Sequence, residues 1–289
     1  MGKTSIEWTD ASWNPIVGCT EVSPGCANCY AARLAATRLS GVPAYKDLAI
    51  LNGGKPRWLG NVAFLAERLE EPLRWRKPRR IFVCDMGDLF HESVLSTWLV
   101  EIFEVILECP QHTFQILTKR AAWMRDFFRT MAPKPLPNVW LGVSVENQRF
   151  ADERIPSLLE TPAAVRFISA EPLLGPINLD TPVRKVIPAP WPAASGLDWV
   201  IAGGESGPHA RPMHPEWPRS LRDQCQAAGV PFFFKQWGQF APLHPTDSDH
   251  RTFAGVNVGN GQLMLRYGKK LSGRLLDGKE HNAFPVPAS

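Results

Sequence analysis

The strongest constraint on this chain is a rhythm of short apolar runs, each followed by a polar segment and then a helical pattern. The runs lie at residues 80–84 (RIFVC), 114–118, 139–144, 165–169, 199–203 and 231–235, with a shorter one at 5–8. Continuous apolar runs of this length fit parallel strands buried on both faces. Residues 29–38, 96–109, 121–130, 149–159 and 215–228 carry helical patterns between them. In 96–109 the apolar positions Leu99, Ile102, Phe103, Ile106 and Leu107 recur at helical spacing. Strands alternating with helices predict parallel βαβ units. Seven strands fit an open or incomplete (β/α) barrel, with a doubly wound sheet as the competing arrangement.

The length of 289 residues suits such an architecture, and 44% hydrophobic with 21% charged residues excludes a disordered or collagen-like chain. Residues 1–240 are expected to form the β/α domain. Residues 241–289 read as a small C-terminal extension with short hairpins. This tail is polar around His244, Pro245, Asp247, Asp249 and His250, then rich in glycine and basic at Lys269, Lys270 and Arg274. The proline-rich stretch 182–192 reads as a surface insertion.

No run approaches the roughly 18 apolar residues of a membrane helix. The first residues show no apolar signal core, so a cytoplasmic location is expected, with no membrane partner. A net charge of +4, from 32 basic and 28 acidic residues, is compatible with an anionic partner without demanding one. Arg74, Arg76, Lys77, Arg79 and Arg80 interleave with Trp75. Such a patch suits a nucleic-acid backbone, or simply a solvated entry into a strand. Trp13, Trp58 and Trp237 are further candidates to line a pocket.

Six cysteines are too sparse for a disulfide scaffold, and their distribution is uneven. Cys109 and Cys225 fall in apolar helical patterns and read as core, and Cys84 sits at a strand end. Cys19, Cys26 and Cys29 form a C-x6-C-x2-C loop containing glycine and proline, with Tyr30 after the last cysteine. Three thiolates in one loop suit zinc or an iron–sulfur cluster. A structural zinc site would need a fourth ligand, such as Cys84 or a histidine. A cluster would keep one coordination position for another molecule.

The segment 6–15, the cysteine loop with Tyr30, and the stretches 78–83, 87–91, 117–120, 203–207 and 273–278 resemble the phage Gp37/Gp68 family, whose members share the three-cysteine motif and have no known function. The resemblance covers nearly the whole chain. More distantly, the arrangement is similar to the radical SAM superfamily, although that superfamily's usual spacing is C-x3-C-x2-C and its aromatic residue precedes the last cysteine. This resemblance implies an incomplete (β/α) barrel of the radical SAM type. Cys19, Cys26 and Cys29 would hold a [4Fe-4S] cluster whose free iron binds S-adenosylmethionine, with reductive cleavage giving a 5′-deoxyadenosyl radical. An electron donor is then required. The phage association points to a nucleic acid or nucleotide as substrate, for modification or repair.

Chemistry in β/α barrels gathers at the C-terminal strand ends. Those ends carry Asp85 and Asp88, then Lys119 and Arg120, then Ser144, Glu146 and Asn147, and later Gly203, Gly204, Glu205 and Lys235. On the radical SAM resemblance, Asp85 or Asp88 would accept the ammonium of S-adenosylmethionine. Lys119 or Arg120 would pair its carboxylate, and Glu146 or Asn147 beside Ser144 would bond its ribose. Gly203 and Gly204 would let the backbone approach it closely. Glu205 and Lys235 are left for the substrate side. The same residues admit two other readings: a zinc-stabilised nucleic-acid-binding module, or a hydrolase with a metal held by carboxylates.

Overall fold

The computed structural model describes residue 4 and residues 6–184, 186, 196–243 and 253–286. Most of the proline-rich stretch and the polar residues from His244 to His250 lie outside the described residues. The chain divides into two compact units, with main spans Met1–Val143 and Arg166–Pro287; Thr161–Val165 belongs to the first and Ser144–Glu160 to the second.

In the first unit the parallel strands are β1 (Ala11–Trp13), β2 (Arg80–Val83), β3 (Thr113–Thr118) and β4 (Val139–Ser144). Ala11 pairs with Ile81, Ile81 with Phe114, and Phe114 with Val139. Every residue of β4 is buried, as expected of a strand covered on both faces. The expected strand at 5–8 is replaced by a turn closed by Thr9 N–H to the Ile6 carbonyl (3.3 Å), and pairing starts at Ala11. The reason is local. The Thr9 hydroxyl bonds the Arg80 carbonyl at 3.0 Å, and Asp10 accepts the Arg80 N–H at 2.8 Å, so these side chains compete with strand pairing. Trp8 is buried against Phe82, not on a ladder.

Residues 14–79 form a long excursion between β1 and β2. It carries the cysteine loop, helix α1 (Tyr30–Ala36), and an antiparallel hairpin of Ala49–Asn52 with Lys55–Trp58. Val17, Ala31, Ala35, Tyr45, Leu48 and Leu65 form a core within it, joined by Met86 from just after β2. Helix α2 (Ser96–Glu108) buries Leu99, Ile102, Phe103 and Ile106 of the stripe its spacing predicts and Val105 beside them, while Leu107, the fifth expected position, is exposed. Helix α3 (Ala121–Met131) buries Ala121, Met124 and Phe128.

The second unit holds helix α4 (Gln148–Leu159), strand β5 (Val165–Ala170), helix α5 (Asp180–Arg184), strand β6 (Trp199–Gly203), helix α6 (Glu216–Ala228) and strand β7 (Phe232–Gln236). β6 pairs in parallel with β5 and with β7. Gly229 closes α6 in the left-handed conformation, φ 67°. Beyond β7, Ala241–Pro242, Gly255–Asn257 and Leu263–Leu265 form a small antiparallel sheet that buries Met264 and Leu265.

The seven parallel strands follow one another in chain order, β1 to β7. A doubly wound sheet reverses its order at a switch point. No reversal occurs here, so the topology is that of an incomplete (β/α) barrel.

Candidate metal centre

Two glycines bring the cysteine loop to the C-terminal end of β2. Gly18 has φ +95°, and a side chain on it would meet the Asn61 carbonyl oxygen at 2.2 Å. Its N–H bonds the Met86 carbonyl at 3.0 Å, and it bridges to Gly87, where a Cβ would lie 3.0 Å from the Gly18 oxygen. Only glycines permit this approach. The next residue is Cys19. The loop then tightens into a short helical turn, Pro24–Cys26. The Cys29 N–H bonds the Cys26 carbonyl at 3.1 Å, and Cys29 caps α1.

All six cysteines are free. Burial, with the Asp88 charge beside it, pushes the Cys19 thiol up to about 12, against the pull of Arg120. Burial also pushes Cys29 up, while hydrogen bonds from the Ala31 and Ala32 backbone and from Trp58 oppose this. Cys19 also feels the charges of Cys26 and Cys29, so the three thiols share one electrostatic neighbourhood. Thiols held protonated in this way must release protons to ligate metal. Among the described residues, no three Cys, His, Asp or Glu side chains converge on a single ion. A cluster carries its thiolates on separate iron atoms, so three soft donors spread along one loop fit it chemically.

A buried charge network lies against Cys19. The Arg120 guanidinium donates to Asp88 Oδ2 at 3.0 Å, to Glu92 Oε2 at 3.0 Å, and to Cys19 Sγ at 3.8 Å. Asp88 also takes the Thr118 hydroxyl at 2.7 Å, the Phe90 N–H at 3.0 Å and the Lys119 N–H at 3.4 Å. Burial weighs against the charge of Arg120, but Asp88 and Glu92 hold its proton more tightly than usual. His91 sits 2.6 Å from the Thr20 hydroxyl and 3.3 Å from Glu92. Burial holds its ring below the ordinary imidazole value. Asp85 is separate: its Oδ1 accepts the Asn14 amide at 2.6 Å, and burial raises its carboxyl. Tyr30 donates its hydroxyl to the Asp85 carbonyl at 2.7 Å. Cysteines, Asp85, Asp88, Lys119 and Arg120 are thus gathered in the first unit.

The second unit holds the other sequence-predicted residues, each in a defined contact. Glu146 is fully buried, 3.2 Å from Arg154, which also bonds the Ser144 carbonyl at 2.8 Å. Asn147 caps α4 through the Phe150 N–H. Glu205 takes the Arg211 N–H and Nε at 2.8 Å each. Lys235 Nζ lies 2.8 Å from Glu171. A Cβ on Gly204 would meet the Trp237 carbonyl oxygen at 1.9 Å, so backbone packing requires glycine there, whereas one on Gly203 would press only on the Glu171 side chain at 3.3 Å. Sequence reasoning missed Asn14, Glu92, Arg154, Glu171 and Arg211. Trp13 and Trp237 are buried and donate their indole N–H to the carbonyls of Arg68 and Leu275, which makes them packing groups; Trp58 reaches Cys29.

Strand order and cysteine loop together define a partial-barrel β/α protein with a three-cysteine loop at the C-terminal end of β2. The chain belongs to the family described as "Protein of unknown function (DUF5131)", whose model matches residues 3–285. The phage label rests on the motifs alone. No curated protein matches the chain. Among solved structures it is similar to a spore photoproduct lyase cysteine-to-serine mutant, at 11% identity and TM-score 0.41, over 91% of this chain and 70% of that one. A spore photoproduct lyase complexed with dinucleoside spore photoproduct gives 9% and 0.40, over 93% and 74%. A double mutant with bound AdoMet and the dinucleoside gives 10% and 0.40, over 90% and 68%. Likeness at this level carries no argument about activity. No helix among the described residues is long and apolar enough to cross a membrane.

Proposed function

We propose that this chain is a radical SAM-type enzyme whose cluster is held by Cys19, Cys26 and Cys29. The observation that carries the reading is the glycine-enforced delivery of a three-thiol loop to the C-terminal end of β2, beside a buried arginine. When bound, a [4Fe-4S] cluster with S-adenosylmethionine supplies a one-electron reductive cleavage, using an external electron donor. The chain's own residues bind, orient and shield. Cys26 is buried and Cys19 and Cys29 are half-buried, which limits the access of water to the thiols.

Asp85 and Lys119 are the proposed contacts for the ammonium and carboxylate of S-adenosylmethionine. Asp88 and Arg120 are committed to one another and are better suited to building the site than to binding a ligand. Ser144, Asn147, Gly203 and Gly204 are retained as cofactor-side residues, and Glu205 and Lys235 as substrate-side residues. Residues 1–240 would be the catalytic domain and 241–289 its extension. The substrate class is a nucleic acid or nucleotide, carried by the phage-family resemblance and by the exposed Arg74, Arg76 and Lys77. A hydrolase with a carboxylate-held metal gains no support, because Asp88, Glu146, Glu171 and Glu205 each face a basic side chain.

The test is anaerobic purification with iron, sulfide and zinc analysis, then EPR of the reduced protein with and without S-adenosylmethionine. About four irons per chain, a signal perturbed by S-adenosylmethionine, and loss of both in Cys26→Ala are expected. Stoichiometric zinc with failed cluster reconstitution would overturn the reading and favour a zinc-stabilised nucleic-acid-binding module.

A further inference from the structure

We infer that Arg120 is a positioning residue that tunes the metal centre through Cys19, biasing whatever the loop holds toward its more reduced, more negative state. The inference rests on the cluster reading above. Three observations support it. Arg120 is 7% exposed, and its Nη1 reaches both Cys19 Sγ at 3.8 Å and Asp88 Oδ2 at 3.0 Å. Its orientation is fixed from the other side by Nε to Glu92 at 3.0 Å. Asp88 is itself saturated by the Thr118 hydroxyl and the Phe90 N–H, so it cannot swing away. A guanidinium clamped in this way points a permanent positive charge at one ligand sulfur.

The consequence follows from Coulomb's law in a site shielded from water. Each bound thiolate adds negative charge, and reduction adds one more. A fixed cation 3.8 Å from a ligand sulfur stabilises the reduced form more than the oxidised form. Asp88 is buried and offsets part of the charge, whereas Glu92 is half-exposed and offsets less of it. The two sides of the clamp therefore make opposite predictions. Arg120→Gln removes the cation and should lower the midpoint potential. Glu92→Gln removes an anion and should raise it. A merely structural role would not produce shifts of opposite sign.

The experiment is anaerobic reconstitution of the full chain with iron and sulfide, followed by an EPR-monitored redox titration of the parent, Arg120→Gln, Arg120→Lys and Glu92→Gln. The expected result is a roughly tenfold loss in relative stability of the reduced state for Arg120→Gln, about 59 mV downward for one electron. Arg120→Lys should recover part of this, and Glu92→Gln should shift upward. Iron in every variant with an unchanged midpoint would overturn the inference while leaving the cluster reading intact. No iron in the parent would overturn both. If Arg120→Gln fails to fold by circular dichroism, the Arg120→Lys and Glu92→Gln pair decides: an upward shift in Glu92→Gln supports the inference, and none overturns it.

Discussion

At the residue scale, Gly18 does more than any other side-chain choice to place the centre. Its φ of +95° alone disfavours a replacement, and the Asn61 carbonyl occupies the space a Cβ would need. Gly18→Ala should cost about 1–3 kcal/mol from the backbone conformation, with the clash adding to it, and should lose iron in parallel. Gly41 has open space and an ordinary φ, so Gly41→Ala should change urea stability by no more than a few tenths of a kcal/mol. Equal effects at both positions would show that the loop relaxes freely and that Gly18 is not a positioning element. That Cys19, Cys26 and Cys29 share one loop was legible because spacing within a loop is a local property. The Arg120–Asp88–Glu92 clamp was only partly legible. Asp88 and Arg120 stood out at strand ends and Glu92 did not, because which carboxylate meets which guanidinium is set by contacts between residues far apart in the chain.

At the element scale, the strands were readable because burial on both faces leaves an uninterrupted apolar run, as in β4 and β6. The run at 5–8 misled because Trp8 looks like a strand residue, whereas it packs on Phe82 ahead of the ladder. The hairpin Ala49–Asn52 with Lys55–Trp58 left no such signal, since Ile50 and Leu51 are exposed and its pattern does not alternate. Helix α4 supplies a sharper test. Arg154 on α4 meets Glu146 just after β4, both almost wholly shielded from water, and Arg154 also lies over the Phe150 ring at 4.3 Å. Glu146→Ala leaves the buried Arg154 cation with only the half-exposed Glu153, 3.7 Å from its Nε, as a partner and should destabilise by about 3 kcal/mol. The double variant Glu146→Leu with Arg154→Met should recover much of that loss in urea denaturation, because it removes both charges. If the single variant retains full stability and only ribose or cofactor binding suffers, Glu146 acts as the ligand contact that the sequence proposed.

At the scale of the molecule, the β/α rhythm declared the class and the strand order refined it, while the C-terminal extension was legible only as a change in composition. Its attachment within the second unit combines buried Met264, Leu265 and Leu276 and the packing of Phe284 on Trp199 with polar contacts that no local pattern reveals. Asp277 accepts Arg219 at 2.8 Å and Arg222 at 2.5 Å, both on α6. Burial pushes the Asp277 carboxyl up, but the hydrogen bonds from Arg222 and Arg219 outweigh it and hold the group below its usual value. A carboxylate with a depressed folded pKa stabilises the folded state above its unfolded pKa, about 3.9. That contribution disappears as pH falls through the lower folded value. The difference in urea midpoint between the parent and Asp277→Asn should therefore be constant from neutral pH down to about pH 4 and vanish below it. It should also shrink with added salt, since Asp277 is partly exposed and each arginine reaches water. A difference that persisted unchanged at low pH would mean that hydrogen-bond geometry, which asparagine cannot reproduce, holds the extension to α6, and that charge plays no part in doing so.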